Sequence, residues 1–259
     1  MDEQPHPALP ASVRAAWGRG DRPTRGPKPA LSLERIVDAG VRVADADGLA
    51  GVSMARVAQE LGASTMSLYR YVAAKDELVA LMVDAAWGEP PAAEPGDDWR
   101  AGLDRWAWSF RDRIRRHPWG LRVPITGPPL TPHAVAWFES GLAALRGASL
   151  SEDAKASVVL LLSGYVRNEA TLVADLDAAR AITDAAMAGY AQLLGELTDP
   201  ASFPAVHALL TAGVFDHADP PDKEFAFGLT RILDGVEVLI AGRLESHPAD
   251  ADPRRRPPD

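Results

Sequence analysis

The stretch that most restricts the fold of this chain runs from Ser53 to Lys75 and reads S-M-A-R-V-A-Q-E-L-G-A-S-T-M-S-L-Y-R-Y-V-A-A-K. Ser53 is a natural helix N-cap, and Met54, Val57, Ala58 and Leu61 fall on one helical face behind it. Gly62 supplies a residue free to take positive φ, which closes that helix. A second apolar pattern, Met66 or Leu68, Tyr69 and Val72, begins only a few residues later. Two short helices joined by so tight a turn cross steeply, the helix-turn-helix arrangement. Small Ala58 suits the place where the axes approach, and Leu61, Ala63 and Leu68 suit the shared core. Thr65, Ser67, Tyr69, Arg70, Tyr71 and Lys75 are left for the outer face of the second helix. Hydroxyl, aromatic and cationic groups of this kind meet phosphates and base edges in a major groove.

The runs L-S-L-E-R-I-V-D-A-G, D-G-L-A-G-V-S-M-A-R-V-A-Q-E-L-G and S-L-Y-R-Y-V-A-A-K-D-E-L resemble the DNA-binding domain of the tetracycline-repressor (TetR/AcrR) family. The resemblance covers Leu31 to Trp87, and its core is L-Y-x-[HY]-[VF]-x-x-K-x-x-L. It implies an all-α chain: an N-terminal three-helix helix-turn-helix domain, then a larger helical bundle for ligand binding and dimerisation, like that of the tetracycline repressors. By the same resemblance Tyr69 and Lys75 contact phosphates, Thr65, Met66, Ser67, Arg70 and Tyr71 face bases, and Ser53 and Arg56 complete the DNA-facing set. Met66 departs from the smaller residues or proline common at its position in relatives.

At 259 residues the chain is one large domain or two ordinary ones, and 47% hydrophobic residues suffice for a sizeable core. With no cysteine there are no disulfides or thiolate metal sites, which fits a cytoplasmic protein. Asp2, Glu3 and several prolines at the start do not form a signal peptide, and the apolar run Val158 to Val166 is too short to span a bilayer. A net charge of −9 argues against nucleic acid only if it is spread evenly. It is not: Arg14, Arg19, Arg22, Arg25 and Lys28 oppose Asp21 alone in residues 11–30. Residues 1–30 read as a flexible basic arm, either following the DNA beside the recognition helix through Arg22, Arg25 and Lys28 or merely solvated.

Further along, Ser32 caps a helix with Leu33, Ile36, Val37, Val41 and Ala44 on its apolar stripe, ended by Asp47-Gly48. Residues 31–87 make up the DNA-binding domain, closed by a helix from Lys75 to about Trp87. The Pro- and Gly-rich run from Gly88 to Asp98 marks a boundary. Residues 98–246 form the body, with helices expected over 98–116, 131–146, 151–176, 179–197, 202–211 and 221–245; residues 247–259 are a disordered tail. Gly228, Gly235 and Gly242 recur every seven residues in the last helix and suggest close approach of another helix backbone. With the apolar Val158–Val166 helix it is expected to build a four-helix homodimer interface, so that two recognition helices read an inverted-repeat operator in double-stranded DNA.

Five of the seven tryptophans lie in residues 99–137, beside an irregular Pro-rich segment. An aromatic-lined pocket for a small-molecule effector is expected there, formed by Trp106, Phe110, Trp119, Trp137 and Tyr165 with His117, His133, Arg167 and Asn168 orienting the guest. Core packing is the competing account of each aromatic. No G-x-S-x-G, P-loop or G-x-G-x-x-G motif is present, and the six histidines lack metal-ligand spacing, so neither an enzyme nor a cofactor is implied. The open alternatives are control by a small molecule, transmitted through the helix at 75–87, or control by a protein partner.

Overall fold

The computed structural model describes residues 9–18, 31–187, 189–215, 220 and 222–242, and for 177–187 only the backbone. All regular structure among them is helical. In order the helices are α1 (Ala11–Ala16), α2 (Leu33–Gly51), α3 (Met54–Glu60), α4 (Thr65–Tyr69), α5 (Lys75–Trp87), α6 (Trp99–Arg116), a 3₁₀ turn (Pro118–Arg122), α7 (Pro132–Ala144), α8 (Glu152–Met187), α9 (Tyr190–Leu197), α10 (Pro204–Thr211) and α11 (Lys223–Ile240).

Two cores organise them. The first buries Ile36, Val37 and Val43 of α2, Val57 and Ala58 of α3, Leu68 of α4, and Leu78, Leu81 and Met82 of α5. The second buries Leu103, Trp106, Phe110 and Ile114 of α6, Trp137 of α7, Val159, Leu162 and Val166 of α8, and Phe225, Leu229 and Leu233 of α11. Within α2, Gly48 takes φ +71° and breaks the helical path where Asp47-Gly48 was expected to end it.

Several expectations need correction. The arm at 1–30 is not structureless where it is described: residues 11–16 form α1, which buries Val13 and donates a hydrogen bond from the Ser12 hydroxyl to Glu77 Oε2 at 2.7 Å. Arg22, Arg25, Lys28 and the tail 247–259 lie outside the described residues. The helices expected at 151–176 and 179–197 are divided elsewhere, because α8 runs unbroken to Met187 and α9 begins at Tyr190. The 177–187 stretch has no Gly or Pro to stop it. In the single subunit Val158, Val159, Leu162 and Val166 are buried, whereas Leu160 and Leu161 stay 73% and 55% exposed, which does not contradict the expected interface.

Within the single subunit the three glycines of the heptad meet different surroundings. A Cβ on Gly228 would run into the ring and hydroxyl of Tyr165, a neighbour within the same subunit. Gly235 faces open space, and Gly242 lies past the helix end with φ +71°.

Candidate nucleic-acid interface and effector region

Three serines set the geometry of the candidate DNA-facing surface. Ser53 accepts from the Arg56 N–H at 3.1 Å to start α3, and Ser64 accepts from the Ser67 N–H at 3.3 Å to start α4. Ser32 does the same for α2 through the Arg35 N–H. Gly62, at φ +62°, donates to the Gln59 carbonyl and Ala63 to the Ala58 carbonyl, at 3.1 and 2.9 Å. This paired C-terminal closure ends α3 and fixes the turn into α4. Leu68 and Val72 are fully buried, so the opposite side of α4 must face outwards.

The expected contact residues divide into free and engaged groups. Met66 is 74% exposed and Tyr69 45%, Arg70 and Lys75 are exposed, and Thr65 is partly so. Neither Arg70 nor Lys75 has an ion-pair partner among the described residues. Ser67 shares a hydrogen bond with Ser64 at 2.8 Å. Arg56 is held by Glu60 at 3.3 Å and Asp47 at 3.4 Å, surface pairs weak enough to be exchanged for a phosphate. Tyr71 belongs to the engaged group: its hydroxyl donates to the Leu31 carbonyl at 2.9 Å, tying the end of the recognition segment to the start of α2. Its hydroxyl hydrogen is already committed, so Tyr71 braces the domain instead of standing free like Arg70 and Lys75. Glu77 steadies the following turn by accepting from the Ala73 N–H as well as from Ser12.

The nine expected effector residues do not surround one cavity. Trp106, Phe110 and Trp137 pack on one another, with ring centroids 5.1–5.7 Å apart, and the Trp106 indole donates to the Trp137 carbonyl. Trp119 is buried against the first core. Tyr165 stacks on Phe225 and donates to the Phe225 carbonyl at 2.9 Å; burial, then the nearby Glu169 charge, raise its pKa. Asn168 is exposed, and Arg167 lies over the Trp87 ring.

What most of these residues share is the seam between the two cores. Asp45 of α2 meets His117 Nδ1 at 2.8 Å and accepts the Trp119 indole N–H at 2.7 Å. Asp84, buried on α5, accepts the Ala134 N–H at 2.9 Å in the first turn of α7 and meets His133 Nδ1 at 3.0 Å. The Trp137 indole donates to the Gly88 carbonyl at the end of α5, and the Trp17 indole after α1 donates to the Leu130 carbonyl. A cleft of about 360 Å³ opens along this seam between Asp45, Leu49, Arg116, Trp119 and Arg122.

The sequence pattern passed over one charged group altogether. Arg111 of α6 is 1% exposed, yet it pairs with both oxygens of Glu169 at 2.9 Å and with Asp222 at 2.7 Å, beneath the Phe225 ring. Burial opposes its charge, but the hydrogen bonds to Glu169 and Asp222 outweigh burial and raise its pKa. The available signal was its register, four residues after Ala107 and three before Ile114 on the buried stripe.

Comparison with known proteins fits this geometry. Residues 36–82 match the family described as bacterial regulatory proteins, tetR family, and residues 90–240 match the tetracyclin repressor-like C-terminal domain. The chain belongs to the TetR family. It is 40% identical over 240 residues to the HTH-type transcriptional repressor DrrR1 of Streptomyces coeruleorubidus, spanning 90% of this chain and 87% of that protein. It is 29% identical over 119 residues to the class E tetracycline repressor protein of Escherichia coli, spanning 45% of this chain and 54% of that one. The TetR family protein ActR of Streptomyces coelicolor, crystallised with actinorhodin, superposes with a TM-score of 0.69 at 30% identity over 83% of this chain and 99% of ActR. The chain is therefore a DNA-binding transcriptional regulator, not an enzyme. Among the described residues no helix is long and apolar enough to cross a membrane.

Proposed function

We propose that this TetR-family chain is a cytoplasmic repressor that binds a palindromic operator as a homodimer and is released by a small apolar or aromatic effector. Residues 31–87 read the DNA, and residues 98–246 dimerise and receive the effector. The observation that carries the reading is the free outward row Thr65, Met66, Tyr69, Arg70 and Lys75, which runs from α4 across the turn to the first residue of α5, while Leu68 and Val72 behind it are locked into the core. Tyr69 and Lys75 hold phosphates, while Thr65, Met66 and Arg70 face bases. Dimerisation is supported by Leu160, Leu161, Leu172 and Leu176 on α8 and Phe227 and Val238 on α11, apolar side chains left exposed on the single subunit. One short helix buries little surface, and pairing two of them lifts affinity sharply. Release by a small molecule is supported by the likeness to ActR, whose crystals hold actinorhodin or (S)-DNPA.

A second reading has its own observation. Trp106, Phe110 and Trp137 pack on one another in the second core, and the apolar side chains left exposed on α8 and α11 would suit a different protein as well as a second copy. Selection of bound fragments from random DNA, with the mass of the complex measured by light scattering, tests both. Inverted repeats bound by two copies, then freed by members of a polycyclic compound library, support the proposal. Single half-sites bound by one copy would refute dimerisation, and indifference to every compound would leave the protein-partner reading in its place.

A further inference from the structure

Trp87 closes α5 and packs against both cores, so it sits where the DNA-binding half meets the body. Its ring meets the edge of Phe110 at 5.2 Å, and the Arg167 guanidinium lies 5.3 Å from its centroid. Among the described residues, Trp87 Nε1 is the buried side-chain nitrogen or oxygen left without a hydrogen-bond partner. A buried N–H of this kind is costly to leave unmet, and its absence of a partner calls for an explanation.

Two further observations converge on the same spot. Arg167 is partly buried, yet no carboxylate among the described residues lies within ion-pairing distance. Arg111 makes the contrast: it too lies over aromatic rings, but Glu169 and Asp222 answer its charge. Burial lowers the pKa of Arg167, the mark of a cation lacking an anion. Gly120 of the 3₁₀ turn is buried, but a Cβ built on it would meet only Trp87 Nε1, at 3.6 Å. Space the size of a methyl group therefore lies directly against the unmet donor.

We propose that Trp87 Nε1–H and the Arg167 guanidinium form the recognition end of the effector site, and that the effector offers them an anionic oxygen, carboxylate or ionised phenol, on an aromatic frame. The assignment rests on the small-molecule reading given above. Both groups are donors with no accepting capacity, so they select for an acceptor. A cation already drawn partly out of water selects an anion over a neutral acceptor. The partly exposed Trp87 ring beside these two donors favours an aromatic carrier. A guest held here presses on the last turn of α5, the helix that continues from the recognition segment.

The test uses the full chain and two matched probes, anthraquinone-2-carboxylate and anthraquinone-2-carboxamide, titrated by calorimetry. The acid is expected to bind at least about tenfold tighter than the amide, the advantage of a charge-assisted hydrogen bond. Arg167→Gln should abolish that preference, weakening the acid far more than the amide. Gly120→Ala, which fills the gap at ordinary contact distance, should weaken the acid by a similar factor and melt as the parent does. Equal affinity for acid and amide, or a preference that survives Arg167→Gln, would overturn the assignment and leave the small-molecule reading standing. Binding of neither probe overturns the assignment as well, and the library release assay then judges the broader reading on its own.

Discussion

Replacing Arg111 by methionine isolates the largest electrostatic commitment in the body. The guanidinium holds both oxygens of Glu169 at 2.9 Å and Asp222 at 2.7 Å, and it is 1% exposed. The two acids are not equivalent. The Asp222 side chain is 54% exposed and regains water once released, whereas Glu169 is 13% exposed and is stranded. Stranding one member of a buried ion pair costs about 3–5 kcal/mol. Methionine restores the aliphatic volume, so little cavity penalty is added. Arg111→Met should therefore lower the unfolding free energy by about 3–5 kcal/mol, and adding Glu169→Leu should recover most of it. Arg111→Lys keeps the charge but loses the two-pronged geometry and should fall between, at about 1–3 kcal/mol. The assay is urea denaturation followed by tryptophan fluorescence at several protein concentrations, which separates subunit folding from dimer dissociation. A single-variant loss under about 1 kcal/mol, or a double variant no better than the single one, would refute the argument from stranded charge.

Other expectations follow from particular contacts. Arg70→Ala should relax specificity at one operator position at a cost of about 1–3 kcal/mol if it grips guanine in two places, and equal loss on every sequence would make it a backbone contact. Lys75→Ala should weaken all sequences alike and reduce the salt slope by about one unit, as read from binding at several ionic strengths. Gly228→Ala should destabilise the subunit by about 1–3 kcal/mol through overpacking against Tyr165, whereas Gly235→Ala should spare the subunit and disturb only dimer affinity, as sedimentation would show. Acid should weaken the fold partly through Asp234, whose pKa is lowered chiefly by its hydrogen bond from Arg100. A lowered folded-state pKa contributes stability above the unfolded carboxylate value, about 3.9, and loses it as pH falls through the folded value. Arg100→Gln should flatten the acid limb of a stability–pH curve, and an unchanged limb would remove this pair from the account.

The helix-turn-helix was legible because its determinants are local. Ser53, Ser64 and Gly62 act on backbone within a few residues, and Leu68 and Val72 fall in the period that defines the buried side. Helix α1 was not legible, since A-S-V-R-A-A is too short to display a period and owes its place to Val13 and the Ser12–Glu77 bond. Tryptophan content gave the region of the body but not its use. Trp106 and Trp137 fill the core, while Trp119 and Trp137 spend their indole N–H groups across the seam. Nothing in a residue's own identity separates these outcomes, because the partner carbonyls and carboxylates lie 31 to 74 residues away. The heptad of glycines was only partly legible for the same reason: Gly228 answers to Tyr165, which a pattern within α11 does not contain.

The seam also bounds how strongly an effector can speak to the DNA-binding half. Allosteric coupling between two sites runs to about 1–3 kcal/mol. A net intramolecular hydrogen bond contributes about 0.5–1.5 kcal/mol, and one to a charged group about 1.5–3 kcal/mol. Losing or re-aiming one or two seam contacts is thus commensurate with the whole of the coupling, without any need to disrupt either core. Asp45 is the natural candidate, because one carboxylate oxygen serves both His117 and Trp119 and no other side chain of α2 reaches the 3₁₀ turn by a hydrogen bond among the described residues. Asp45→Ala should leave operator affinity without effector within a few-fold of the parent, since the recognition surface is built by other contacts. The factor by which a releasing compound weakens DNA binding should then fall about tenfold if the clasp carries most of a 1–3 kcal/mol coupling. That factor is measured by titrating operator at zero and saturating compound. An unchanged factor in Asp45→Ala would mean the signal bypasses this clasp and travels along α5 through Asp84 and Gly88 instead.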